Sequence, residues 1–131
     1  MALRIIVPVL GISALMVQVA ASDEIRKTKF AGALLGTWAP SQELCERKDK
    51  SSVTILETQF TSSDRNCEVQ WIIERAASLG ATYGIHARCF DQSDPEKVSA
   101  INLIVWPQGS DQISIGKTFD DLKVYQRCLA K

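Results

Sequence analysis

Over residues 67–74 apolar and polar side chains alternate. Cys67, Val69, Trp71 and Ile73 share one phase, and Glu68, Gln70 and Glu74 hold three of the four places in the other. After a break at Ser78, Leu79 and Gly80 the pattern resumes, with Tyr83, Ile85, Ala87 and Cys89 set against Thr82, His86 and Arg88. Successive strand side chains point to opposite faces, so this period of two predicts a β-hairpin with one buried and one wet face. Both cysteines fall in the buried phase, at the open end of the hairpin.

The same reading extends along the chain. Strands are predicted at 36–38, over the β-rich stretch 53–60, over the apolar run 98–106, at 112–117 where Ile113 and Ile115 share a face, and at 122–128. Turn clusters at 61–64, 107–110 and 118–121 separate them. Residues 31–35 and 41–48 are each expected to form no more than a turn or two of helix. Seven strands are counted, broken by short turns, with no internal repeat. The expected fold is all-β: a single up-and-down antiparallel meander closing into a barrel of about seven or eight strands. Glu57 shares the phase of Val53 and Ile55, which would point a carboxylate inward.

The N-terminus obeys a different rule. Arg4 precedes an apolar run from Ile5 to Val19, and Val19, Ala20 and Ala21 offer small residues for cleavage. This is the layout of a secretory signal peptide over 1–21. The run holds Pro8 and falls short of the roughly 20 apolar residues a membrane anchor needs. The expected organisation is a signal peptide at 1–21, a polar mobile arm at 22–33 and a barrel at 34–131. Setting Arg4 aside leaves 14 basic and 15 acidic residues, net −1. So balanced a chain has no general attraction to nucleic acid or anionic lipid.

Four cysteines in an exported chain read as two disulfides, since the spacings contain no paired C-x-x-C knuckle for zinc. Strand counting selects their pairing. In a seven-strand meander Cys45 and Cys128 fall at one end and Cys67 and Cys89 at the other. Bridged Cα atoms must lie within about 4.4–6.8 Å, so the expected pairs are Cys45–Cys128 and Cys67–Cys89.

Leu35-Gly36-Thr37-Trp38 at the head of an exported β-meander resembles the G-x-W signature of the calycin superfamily, which includes lipocalins, avidins and bacterial metalloprotease inhibitors of the Inh type. The resemblance implies that Trp38 packs across the barrel floor against an Arg of the last strand, here Arg127, making Gly36, Trp38 and Arg127 structural anchors. The Inh type also has a polar N-terminal arm before its L-x-G-x-W. That likeness would place the arm residues Ser22, Asp23, Glu24, Ile25 and Arg26 in a protease cleft.

No catalytic set accompanies this architecture. His86, the single histidine, sits in the polar phase beside Arg88, and no G-x-S-x-G, phosphate loop or H-E-x-x-H occurs. Asp91, Asp94 and Glu96 share a loop without EF-hand spacing. No metal or other cofactor is expected. The expectation is a non-enzymatic binding module, periplasmic or secreted, that docks on another protein such as an exported protease or lysozyme, with no nucleic-acid partner and no membrane insertion after signal cleavage. The alternative is a lipocalin-like carrier of a small apolar ligand, against which the bulky interior positions argue.

Overall fold

The structure, a computed structural model, describes residues 24–47, 51–62, 65–77 and 80–129, and Gly11 by itself. The segment read as a signal peptide otherwise lies outside the described residues, as do Ser22 and Asp23. Nine strands form one antiparallel sheet: β1 (Glu24–Lys27), β2 (Gly36–Ala39), β3 (Val53–Ile55), β4 (Gln59–Ser62), β5 (Arg65–Ala77), β6 (Gly80–Asp91), β7 (Val98–Pro107), β8 (Gln112–Gly116) and β9 (Lys123–Arg127). Strands β5-β4-β3-β2-β9-β8-β7-β6 follow one another, and β6 pairs back to β5, closing an eight-stranded barrel. The ninth strand, β1, lies on β5 beyond the end of β4, because β4 pairs with residues 65–68 of β5 and β1 with residues 72–75.

Two local features separate this barrel from the seven-strand count. The stretch 53–60 is not one strand. Leu56, Glu57 and Thr58 turn, and the Leu56 N–H donates to Gln59 O at 2.8 Å, so the chain reverses between β3 and β4. Glu57 is thereby exposed in a turn instead of pointing inward. In β5 the register shifts between Val69 and Trp71, leaving Gln70 as an added residue. A bulge of one residue exchanges the two faces. Cys67 and Val69 face inward as predicted, but beyond the bulge Ile72, 1% exposed, replaces Trp71 and Ile73 on the inner face. On β6 the predicted phase holds throughout, with Tyr83, Ile85, Ala87 and Cys89 all buried.

Both disulfides form as expected, with Cα separations of 5.5 Å for Cys45–Cys128 and 4.0 Å for Cys67–Cys89. Cys67 and Cys89 are direct register partners. The parity argument for the other pair fails, however. With the added reversal, Cys45 follows one end of the barrel and Cys128 the other. A six-residue helix, α1 (Gln42–Arg47), brings them together by doubling back beside the four-residue β2. Gln42 Nε2 donates to Arg127 O at 2.8 Å and anchors that return.

The N-terminal segment is not a free arm. Glu24 to Lys27 pair with Arg75 to Ile72 of β5, and Lys27 and Glu24 form ion pairs of 2.9 and 2.8 Å with Glu74 and Arg75. Phe30 is 6% exposed, stands edge-on to Phe60 with centroids 6.4 Å apart, and donates its N–H to Glu57 O. The barrel unit therefore begins before residue 34. An apolar residue eight positions after the start of a polar run carried too little periodicity to reveal this.

Candidate functional site

Antiparallel alternation sorts the strand ends into two groups. The start of β2 and the end of β9 lie at one end of the barrel. The end of β4, the start of β5 and the end of β8 lie at the other.

The first end is closed. A 3-10 turn over Gly32–Leu34 carries the buried Leu34 ahead of β2, and Trp38, 1% exposed, donates its indole N–H to Leu34 O at 3.0 Å. Tyr125 and Arg127 share one phase of β9 while Val124 faces out and is exposed. The Arg127 guanidinium lies 4.2 Å from the Trp38 ring centroid and donates to Leu35 O at 2.7 Å, to Ser110 O at 3.1 Å and to Ala33 O. Gly36 has φ +131°, and a Cβ there would sit 2.9 Å from Arg127 Nη1. The glycine of G-x-W is thus required by the arginine laid over it as well as by its own backbone.

Inside, the side chains do not fill the barrel. A cavity of about 210 Å³ is walled by Phe30, Ile55, Phe60, Ile85, Leu103 and Val105, with Val53, Cys67, Ile101 and Ile115 completing its apolar lining. Eight strands enclose an interior just wide enough for packed side chains or one small ligand. Four polar residues among those described also line it: Ser62, Arg65, Lys117 and Tyr125. Ser62 ends β4, Arg65 opens β5 and Lys117 follows β8, so these three mark the second end as the mouth. Arg65 and Lys117 are the solvent-exposed members of the lining, which includes no carboxylate among the described residues.

The sequence reading missed all four polar residues, although a signal existed. Arg65 stands two positions before Cys67 and Lys117 two after Ile115, each in the inward phase of its strand. An inward-phase cation at the end of a buried alternation belongs to the rim of the barrel.

The predicted binding residues lie elsewhere. Glu24, Ile25 and Arg26 belong to β1, on the β5–β6 hairpin beyond the closed end. Arg26 caps one face of Trp71 at 4.8 Å from the ring centroid, and His86 stacks on the indole at 3.9 Å and 15°. His86 Nδ1 donates to Asn102 Oδ1 at 2.6 Å. This row crosses β1, β5, β6 and β7 on the outer surface and joins β1 to the hairpin. With Arg26 and His86 stacked on it, the Trp71 ring has little face left for a ligand.

On the inner side of the same hairpin, Lys27 and Tyr83 both hydrogen-bond Glu74. The Lys27 contact, helped by the Tyr83 hydroxyl, holds the Glu74 carboxyl below its ordinary value. Burial, with the hydrogen bond to Glu74, raises the Tyr83 phenol. Asp91, opposite Arg65 in register, accepts from Ser93 Oγ at 2.8 Å and Ser93 N–H at 3.1 Å, which lowers its pKa.

Among the described residues no cluster of three or more His, Cys, Asp or Glu is disposed to hold a metal, and no helix is long and apolar enough to cross a membrane. Comparison with protein-family models, curated proteins and solved structures finds no match.

Proposed function

We propose that this chain is a carrier or sensor barrel that holds one small, largely apolar molecule in its interior. The observation that supports this reading is the largely apolar cavity of about 210 Å³, closed at the Trp38 end and with Ser62, Arg65 and Lys117 at its mouth. A dry cavity of roughly 150 Å³ takes benzene, so the same scale gives a ligand of about eight or nine non-hydrogen atoms. The Trp38–Arg127 contact is what a calycin-type barrel implies, and it lends the reading further support. The two disulfides favour an oxidising compartment, the periplasm or the exterior. Docking of the N-terminal segment in a protease cleft is less favoured. Its described residues Glu24 to Lys27 already use their backbone in the sheet, and a segment entering a cleft needs that backbone for its partner.

The test is ligand-induced stabilisation. Neutral probes of the right size, 1-heptanol and benzyl alcohol, should raise the melting temperature and protect interior methyl resonances of Ile85 and Leu103. Ile101→Trp, which fills the cavity, should remove the effect while leaving the fold intact. Absence of any shift with either probe at saturating concentration would refute the carrier reading.

A further inference from the structure

We infer that the ligand is a small carboxylate with an apolar body, its head held at the mouth by Arg65 and Lys117. The inference rests on the carrier reading above and goes beyond it by naming the ligand class. An apolar ligand needs no charge at its entrance, yet the barrel places two cations there from strands on different sides of the wall. Both sit in the inward phase, and both line the same cavity, to which no carboxylate among the described residues contributes.

Among the described residues neither cation is in a close ion pair or a side-chain hydrogen bond, although the charge of Arg65 acts on Asp91 across the register. Two acids near them in sequence or register also have hydroxyl partners. Asp91, across from Arg65, is held by Ser93, and Asp121, in the turn after Lys117, accepts from Thr118 Oγ1 at 3.1 Å. Asp120 and Asp121 line an adjoining depression that shares Leu103, Ile115, Lys117 and Tyr125 with the cavity.

Chemistry completes the match. A guanidinium offers parallel N–H donors spaced for two carboxylate oxygens, while the lysine adds a movable point charge. The hydroxyls of Ser62 and Tyr125 supply neutral donors beside them. Burial of the apolar body behind the head supplies the affinity, and the cations supply the choice between heads of equal size.

Heptanoate and benzoate, each paired with its alcohol and with heptylammonium or benzylammonium, separate these contributions in calorimetric titrations of the whole disulfide-bonded chain. At low salt the carboxylates should bind at least tenfold tighter than the alcohols and the ammonium compounds not measurably. Raising the salt to 0.5 M should erode that preference and leave alcohol binding unchanged. Arg65→Gln with Lys117→Gln should bring the carboxylates down to the affinity of the alcohols, and a cooperative thermal melt shows that the variant is folded. Alcohols binding as tightly as carboxylates in the wild type would overturn the assignment of the head group while the carrier reading stands. So would a preference that survives in the double variant. Failure of every probe, alcohols included, would overturn both.

Discussion

Removing β1 and removing Phe30 should have sharply different consequences, although they lie only a few residues apart. Consider two chains that begin at Thr28 and at Ala31, compared with one that begins at Ser22. The first loses the ion pairs Lys27–Glu74 and Glu24–Arg75 and the contact of Arg26 with Trp71. Partly exposed ion pairs contribute about 0.2–1 kcal/mol each and an exposed cation–π contact about 0.5–1 kcal/mol. The backbone hydrogen bonds of four edge residues are largely offset by the entropy of ordering them. The expected loss is about 1–3 kcal/mol. The second chain also loses Phe30, which is 6% exposed and packed on Phe60. Deleting a buried Phe side chain costs about 3–5 kcal/mol. In a domain of about this size each kcal/mol lowers Tm by roughly 4 °C, so the second chain should melt roughly 12–20 °C below the first. Circular dichroism melts of the three chains read this directly. Melting temperatures for the two truncations within about 3 °C of each other would show that Phe30 is not part of the core, and that the arm is as free as its composition suggests.

Three further outcomes are expected. Arg127→Ala removes a stack on Trp38 and the donors to three carbonyls, and it should cost about 2–4 kcal/mol in urea unfolding. Arg127→Lys should recover less than half, because an ammonium cannot serve diverging acceptors as a fork does, and a loss below about 1 kcal/mol for Ala would contradict the geometry. The chain-entropy relation gives Cys45–Cys128, with separation 83, about 1 kcal/mol more than Cys67–Cys89, with separation 22. Both sulfurs of the shorter bridge are buried, however, and their removal adds roughly 0.8 kcal/mol each. The two Cys-to-Ala pairs should therefore lie within about 1 kcal/mol of one another, and a gap above about 2 kcal/mol would mean that one term has been misjudged. Glu74 has a lowered pKa in the fold through Lys27 and Tyr83. Its contribution is therefore full above the unfolded carboxylate value of about 4.3 and is lost as pH falls through the folded value. Glu74→Gln should be less stable than wild type at pH 6 and equal to it in strong acid, and a difference that persists unchanged into acid would rule out ionisation as its source.

Much of this protein could be read without coordinates, because period-two alternation is a local property that one-sided burial imposes on every strand. It yielded the all-β barrel, the inward face of β6 and the outward His86. Alternation fails wherever an extra residue exchanges the faces, and Gln70 does so in β5, so Trp71 and Ile73 were assigned to the wrong side. The reversal at Leu56–Thr58 was hidden for a similar reason: three residues without glycine or proline form a turn through backbone pairing that no composition announces. The disulfide pairs emerged correctly from a strand count that was off by one. Their closeness depends on α1 folding back beside β2, a tertiary event. The cavity lay furthest beyond the sequence. Whether inward side chains fill a barrel depends on how eight strands place them around one axis, and volumes from distant segments meet only there. Arg65 and Lys117, 52 positions apart along the chain, became one site because strand direction alternates and sets the start of β5 and the end of β8 at the same open end.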